Sequence, residues 1–104
     1  MENMELISFQ IISAVGTARS MCIEAIQEAK KGDFERADNL IEESSAIFLE
    51  GHKAHTSLIQ KEANGEKIEF SLLLMHAEDQ LMNAETVKLM AIEIIELYRK
   101  DKMT

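Results

Sequence analysis

The sequence predicts an all-α protein, an antiparallel up-down-up bundle of three helices. Its 104 residues include no proline and only four glycines, and residues that favour helices are abundant. Apolar residues recur at steps of three and four along most of the chain, as on one face of a helix. Two short segments interrupt this pattern. A chain of this length has room for one core, so residues 1–104 are expected to form a single domain.

The first helix is predicted over residues 5–31. Gly32 can take the left-handed conformation that ends many helices, and Asp33 can cap the helix that follows. A tight turn is therefore expected between the first two helices. The steps of four and three along this helix are typical of lengthwise packing against others. Its predicted buried stripe consists of Ile7, Ile11, Ala14, Ala18, Cys22, Ala25 and Ala29.

The second helix is predicted to end near Asn64 and Gly65, and the third to run from Ser71, a possible N-cap, to about Lys100. At 1.5 Å per residue each helix is about 40 Å long, so short connections favour the up-down-up arrangement. The predicted stripe of the second helix consists of Ala37, Leu40, Ile41, Ser44, Ile47, Phe48, Gly51, His55, Leu58 and Ile59.

The third helix carries two apolar seams on different sides. The core seam, interrupted by Lys88, is Phe70, Leu74, Ala77, Leu81, Ala84, Ala91, Ile95 and Tyr98. The second seam is Leu72, Met75, Asp79, Met82, Thr86, Leu89 and Met90. Monomers rarely expose an apolar patch of that extent, so self-association is expected. Gly16, off the main stripe of the first helix, would also allow close contact with a neighbour.

Charge and composition exclude several classes of function. A formal net charge of -8 with scattered cations argues against nucleic-acid binding and favours a partner with a basic patch. Residues 1–5 lack the basic segment of a signal peptide, and no apolar run is judged to approach the ~20 residues of a membrane span. A cytoplasmic protein is expected. Cys22 is the single cysteine, and its place on the stripe predicts a buried residue rather than a nucleophile.

His76 is the first candidate for chemistry, because it flanks the second seam, where it could be half buried and still open to a partner. An imidazole is largely neutral at cytoplasmic pH, so one ring nitrogen has a lone pair for attack while the other can donate to an orienting acceptor. These are the properties of a phosphoryl acceptor. A purely structural histidine is the alternative at this position.

His52 and His55 have the spacing of a metal-ligand pair. His55, however, lies on the predicted core stripe and His52 flanks it, so structural roles are favoured for both. A carboxylate-bridged di-metal bundle would need Glu three residues before the histidine, and Leu49 and Leu73 occupy those positions before His52 and His76. The sequence therefore argues against a di-metal centre.

Asp79 is a carboxylate in the middle of the second seam. Buried between subunits it would be costly unless it met a cation, a hydrogen-bond donor or a proton. In a symmetric trimer, three copies of Asp79 could share one metal ion.

Three segments resemble landmarks of one family. H-A-E-D-Q-L-M at 76–82 resembles the H-A-x-D-x-L-M motif of the lactose/cellobiose family of phosphotransferase-system (PTS) enzyme IIA proteins. G-T-A-R-S at 16–20 and K-G-D-F at 31–34 match other family landmarks in the same order. The likeness spans nearly the whole chain.

This resemblance implies a phosphotransferase component that is a homotrimer of three-helix bundles. His76 would accept a phosphoryl group from the phosphocarrier HPr and pass it to a cysteine of a sugar-specific IIB component. Asp79 matches the family residue that gathers around a structural magnesium ion on the threefold axis, one Mg²⁺ per trimer. Contact with the membrane would be indirect, through the IIC permease.

Two positions depart from the lactose type. Gln80 stands where lactose-type members have His, and His55 stands where the family often has Gln, so cellobiose or another β-glucoside is preferred over lactose. Arg19 could help to neutralise the phosphoryl group across a subunit boundary. Whether Arg19, His52, His55 or Gln80 contributes to the site is left open by the sequence.

Two other classes of protein share part of this pattern. A non-catalytic helical adaptor would explain the second seam but not His76 and Asp79. The histidine phosphotransfer domain of two-component signalling also uses a His on a bundle helix, but it requires Lys and Gly shortly after that His, and residues 77–80 do not supply them.

Overall fold

The computed structural model describes residues 4–103, with the side chain of residue 103 left out. Within that range the chain forms three helices and no strand: α1 (Met4–Lys30), α2 (Phe34–Ala63) and α3 (Leu72–Met103). The described part measures 56 × 20 × 20 Å. The helices α1 and α2 run in opposite directions, since Glu24 meets Arg36 while Val15 lies beside Gly51. The same holds for α2 and α3, since Asp38 meets Arg99 while His55 meets Glu78. The predicted up-down-up bundle is confirmed.

The two connections use the turn residues that the sequence predicts. Gly32 has a φ of 88°, and the Asp33 carboxylate accepts a hydrogen bond from the Arg36 backbone N–H at 3.1 Å. Before α3, the Ser71 hydroxyl oxygen accepts from the Leu74 backbone N–H at 3.0 Å. These side chains satisfy N–H groups that the first turn of a helix leaves unpaired. The predicted boundaries of α1 and α2 hold within about a residue, and α3 extends to Met103 rather than ending near Lys100.

The buried face of α1 agrees with the predicted stripe except at one turn. Val15 is fully buried, whereas Ala14 is only partly buried. Ser8 is also buried, and its hydroxyl donates to the Met4 carbonyl oxygen at 2.9 Å, so no buried polar group is left unsatisfied there. The buried residues of α1 are Ile7, Ser8, Ile11, Val15, Ala18, Cys22, Ala25 and Ala29.

The buried stripe of α2 is narrower than predicted, because α2 packs mainly against α1 and only thinly against α3. Ile59 is 55% exposed, so its predicted burial is wrong. Ile41, Ile47, Phe48 and His55 are partly buried. The fully buried residues of α2 are Ala37, Leu40, Ser44, Gly51 and Leu58.

The core seam of α3 is confirmed except at its two ends, since Phe70 is exposed and Tyr98 is only partly buried. Phe70 is 76% exposed because it precedes the helix, which begins at Leu72. Lys88, the cation that interrupts the seam, places its ammonium group 5.7 Å from the centroid of the Phe48 ring. That contact lets a cation lie beside the apolar interface. The buried residues of α3 are Leu74, Ala77, Leu81, Ala84, Ala91 and Ile95.

The second seam is exposed in the single chain. Leu72 is 81% exposed and Met82 is 67% exposed, and the remaining members are exposed as well. One bundle therefore leaves an apolar face of α3 uncovered, as the sequence predicts. Self-association through this face stays a prediction.

The helix α1 is long and apolar enough to cross a membrane by length and composition. The sequence-based prediction that no run approaches this length is therefore wrong. The buried side chains of α1 form the bundle core together with residues of α2 and α3, such as Leu58 and Leu81. A core helix packed on two others needs apolar residues on much of its surface, and such a helix meets the same criterion.

Candidate functional site

His76 lies on the second turn of α3 and is exposed. No hydrogen bond or ion pair to its ring is formed by residues 4–103. Both ring nitrogens are thus available to an incoming group. The sequence predicted a half-buried position beside a subunit boundary, and in the single chain the side chain is more open than that.

His55 and His52 have different surroundings. The Nε2 atom of His55 lies 3.0 Å from the Glu78 Oε1 atom, and the His55 side chain is only 20% exposed. The His52 ring stacks on Phe48, with centroids 6.2 Å apart and an interplanar angle of 21°. The His55 contact joins α2 to α3, whereas the His52 contact lies within α2. The preference for structural roles at these two positions stays a prediction. The contact of His55 with Glu78 was not foreseen, because it depends on how α2 and α3 are rotated about their axes.

Arg19 reaches from α1 to the face of α3 that carries His76. Its Nη1 atom donates to the Gln80 Oε1 atom at 2.6 Å and to the Asn83 Oδ1 atom at 3.0 Å. Gln80 and Asn83 follow His76 by four and seven residues, so all three lie on one side of α3. Asn83 was missed at the level of sequence, although its spacing from His76 could have indicated a shared face.

Asp79 is exposed in the second seam, three residues after His76. Its carboxylate has no hydrogen bond or ion pair with any residue that the structure describes. No group of three or more His, Cys, Asp or Glu side chains that could hold a metal ion occurs within residues 4–103 of one chain. A cation at Asp79 would therefore need ligands from further copies of the chain or from water.

Cys22 is buried, and its thiol donates to the Ser44 hydroxyl oxygen at 3.4 Å. A nucleophilic thiol must be reachable by its substrate. The structure thus agrees with the prediction of a small buried residue.

The exposure of His76 indicates whether its reaction partner is a small molecule or a protein. A groove of about 750 Å³ runs between α1 and α2, and none of the three histidines lines it. His76 instead lies on the exposed surface of α3. A small substrate needs a concave site to bury it, whereas a second protein can dock on an exposed helix. The arrangement is suited to group transfer between proteins.

Comparisons with known proteins agree with this geometry. Residues 6–99 match the family described as "PTS system, Lactose/Cellobiose specific IIA subunit". The lichenan-specific phosphotransferase enzyme IIA component of Bacillus subtilis is 52% identical over 99 residues, covering 95% of this chain and 90% of that protein. A PTS lactose-specific EIIA component of Staphylococcus aureus is 40% identical, covering 95% and 96% of the two chains.

Solved structures show the same similarity. The PTS cellobiose-specific enzyme IIA of Bacillus anthracis superposes with a TM-score of 0.94 at 46% identity, covering 100% of this chain and 96% of that one. The chitobiose IIA in the IIA(chitobiose)–HPr complex of Escherichia coli gives a TM-score of 0.85 at 34% identity, covering 98% and 99% of the two chains. This chain therefore belongs to the lactose/cellobiose-specific IIA subunit family and is an enzyme IIA component of the phosphotransferase system.

Proposed function

We propose that this protein is a phosphocarrier that accepts a phosphoryl group from HPr on His76 and passes it to the cysteine of a sugar-specific IIB component. The observation that carries the proposal is the state of the His76 ring. It is exposed and unbound within the described chain, whereas His55 contacts Glu78 and His52 stacks on Phe48. A nucleophile needs a free lone pair and room for an in-line approach.

Each transfer is a displacement at phosphorus. In the first, a ring nitrogen of His76 bonds to phosphorus while the bond from phosphorus to HPr breaks, and HPr keeps that electron pair. The neutral ring already carries a proton on its other nitrogen, so the phosphorylated ring is cationic until that proton passes to water. In the second, the thiolate of the IIB cysteine bonds to phosphorus and the electron pair of the P–N bond returns to the ring. Positioning and charge stabilisation are what such a reaction asks of the protein.

HPr as donor is supported by the E. coli structural neighbour, which was solved in complex with HPr. The acidic net charge of -8 favours a partner with a basic docking surface. HPr and IIB would both meet the protein in the cytoplasm, and contact with the membrane would be indirect, through the IIC permease.

For the sugar, we favour cellobiose or another β-glucoside over lactose. The lichenan-specific relative is 52% identical to this chain and the lactose-specific one 40%. Gln80, where lactose-type members have His, points the same way. Purified IIB components specific for cellobiose and for lactose, offered to the phosphorylated protein, would distinguish the two, and faster transfer to the lactose component would contradict this choice.

We also propose a homotrimer in which Asp79 from three protomers shares one Mg²⁺. The residues present fit this ion, because Asp79 offers a carboxylate without a partner among the described residues and sits between the exposed apolar side chains of Met75 and Met82. Magnesium takes oxygen ligands and retains several waters, so three monodentate carboxylates plus water would suffice. The ion would offset the repulsion between three carboxylates and thereby aid assembly.

The acceptor is tested by labelling with phosphorylated HPr. His76→Ala should lose the phosphoryl adduct, while His52→Ala and His55→Ala should still be labelled stoichiometrically, because their rings serve packing contacts. Intact mass and acid lability of the adduct report the label. These two variants are matched controls, since each also removes one imidazole. Stoichiometric, acid-labile labelling of His76→Ala would overturn the assignment.

A further inference from the structure

We infer that Arg19, held in place by Gln80 and Asn83, binds the phosphoryl group that His76 carries in the same chain. The three residues are called the Arg19 cluster. The inference rests on the proposed role of His76 and adds to it the residue that would stabilise the transferred charge. Arg19 would contact the phosphoryl group itself, and the two amides would position Arg19.

The first support is the pairing of the three arginines. Arg36 contacts the Glu24 carboxylate at 3.0 Å and Arg99 contacts the Asp38 carboxylate at 2.7 Å. Arg19 is bound only by the neutral amides of Gln80 and Asn83 among the residues that the structure describes. In a chain with 19 acidic and 11 basic side chains, this guanidinium keeps its full positive charge for an anion that is not part of the chain.

The second support is burial. Arg19 and Gln80 are partly buried, and a partly desolvated cation without a carboxylate is unfavourable unless it serves some interaction. Elsewhere in the bundle the arginines contribute ordinary ion pairs. An anion arriving beside Arg19 would supply the missing counter-charge, and a phosphoryl group matches the forked geometry of a guanidinium.

The third support is the orientation of the two amides. Arginine has no acceptor atom, so the amide oxygens of Gln80 and Asn83 must face it, and their NH₂ groups must point away. Both hydrogen bonds use Nη1, which leaves the N–H groups of Nη2 and Nε without a described protein acceptor. The cluster therefore presents hydrogen-bond donors, as an anion requires.

The fourth support is the position of the Arg19 cluster along α3 relative to His76. Gln80 lies one turn beyond His76, about 6 Å along the axis of α3, and the residues share a side of the helix. A phosphoryl group on the exposed His76 ring would lie on the side of α3 that Arg19 contacts. Asp79 and Glu78 bring negative charge to the same turn, which makes a local cation more necessary for a doubly charged phosphoryl group.

The experiment measures the second ionisation of the phosphoryl group on His76 by ³¹P NMR. The protein is labelled with phosphorylated HPr or with phosphoramidate, a small donor that needs no docking surface. A nearby cation favours the dianion, so Arg19→Met should raise the titration midpoint by about 0.5 to 1 unit after allowance for solvent exposure. Arg19→Lys should stay closer to wild type because it retains the charge.

Two further variants make the test specific. Asn83→Asp is nearly isosteric and preserves the hydrogen bond to Arg19, but its carboxylate neutralises the charge of the guanidinium. It should therefore also raise the titration midpoint. This variant replaces Arg19→Met in the test if Arg19→Met does not fold. Arg99→Met removes a paired arginine from the far end of α3 with the same change in net charge, and should leave the midpoint unchanged. Circular dichroism establishes that each variant is helical.

The outcomes are distinct. A raised midpoint, or loss of labelling in folded Arg19→Met while Arg99→Met is labelled, supports the role of Arg19. Labelled Arg19→Met and Asn83→Asp proteins with the wild-type midpoint would overturn it while leaving His76 as acceptor. A wild-type protein that neither donor labels at His76 would overturn the proposed function, and this inference with it.

Discussion

Gly16 and Gly51 both lie inside helices, but their surroundings are opposite. A Cβ atom at Gly51 would lie 2.9 Å from Val15 Cγ1 and 3.5 Å from Ala14 Cβ. At Gly16, nothing outside the local helix backbone lies within 4 Å of an added Cβ. A glycine is thus required at position 51, where α1 and α2 approach closely. Within one chain, packing does not require a glycine at position 16.

Substitution by alanine should therefore have opposite signs at the two positions. Gly51→Ala should lower the free energy of unfolding by up to about 2 kcal/mol, because overpacking against the fully buried Val15 costs about 1–3 kcal/mol and the gain in helix propensity offsets about 1 kcal/mol of it. Gly16→Ala should raise it by up to about 1 kcal/mol through helix propensity. Urea unfolding followed by circular dichroism measures both.

Each variant is the control for the other, because the covalent change is the same. A Gly51→Ala protein that is stabilised as much as Gly16→Ala would contradict the close approach of α1 and α2. A destabilised Gly16→Ala protein would show that Gly16 meets a neighbouring protomer, as its place on the outer side of α1 led the sequence analysis to suggest.

Some residues of the candidate site can be predicted from the sequence, whereas the contacts between them cannot. The sequence identifies His76 and Asp79 as candidates because a titratable group within an apolar run can be recognised from a single helix. The contacts of Gln80 and Asn83 with Arg19, and of Glu78 with His55, join different helices. No spacing within one segment specifies which side chain of another helix will lie opposite.

At the level of the elements, α2 depends on its N-cap. The Asp33 carboxylate accepts from the Arg36 backbone N–H, and its negative charge lies at the positive end of the helix dipole. Gly32, with a φ of 88°, turns the chain just before it. The tight turn between α1 and α2 therefore rests on two adjacent residues.

Asp33→Ala should lower the free energy of unfolding by about 1 kcal/mol, the usual loss when an N-cap side chain is removed. Thermal unfolding monitored by circular dichroism would report it. Glu42→Ala, which removes one carboxylate from an exposed position within α2, is the matched control and should change stability little. Equal effects of the two substitutions would argue that α2 does not depend on this cap.

The contacts of α2 with α3 are fewer than those of either helix with α1, and several of them are polar or charged. Arg99 pairs with Asp38, His55 contacts Glu78, and Lys88 lies over the Phe48 ring. Exposed ion pairs contribute only about 0–1 kcal/mol each. The relative position of α2 and α3 therefore depends mainly on the packing of both helices against α1.

At the scale of the whole molecule, the second seam is the main feature that one bundle does not explain. Its exposed Leu and Met side chains form an apolar face on α3, and association would remove that face from water. Three copies of Asp79 brought together within it would repel one another unless a cation or shared protons intervened.

We expect sedimentation equilibrium to show a trimer at micromolar concentrations and above. Chelation by EDTA at neutral pH should weaken it if magnesium offsets the repulsion between carboxylates. Asp79→Leu should give a trimer that is indifferent to EDTA, because leucine removes both the charge and its desolvation cost.

Three results would count against this account. A wild-type chain that remains monomeric would refute the role of the second seam, and a wild-type trimer unaffected by EDTA would remove the structural role of the metal. Asp79→Leu trimers that fail to accept phosphate at His76 would show that Asp79 serves phosphoryl transfer rather than assembly.

Local sequence is enough to predict the three helices, their ends apart from the last turn of α3, and the candidate residues on each. The helix ends depend on local hydrogen bonds, which Gly32, Asp33 and Ser71 form or permit with residues three or four positions away. Any segment of similar sequence could form the same bonds. Repetition at three and four residues defines a buried face for the same local reason. The choice of His76 and Asp79 needed only positions along α3 and the family motif.

Which side chains meet across helices depends on how the three helices pack against one another. A periodic pattern defines the rotation of a helix only to within about one residue, which is why Val15 rather than Ala14 is buried and why Ile59 is exposed. The pairing of Arg19 with Gln80 and Asn83 depends on both the rotation and the axial position of α1 against α3. Those quantities arise from close packing of the whole core, in which a small residue such as Gly51 sets how near two helices come.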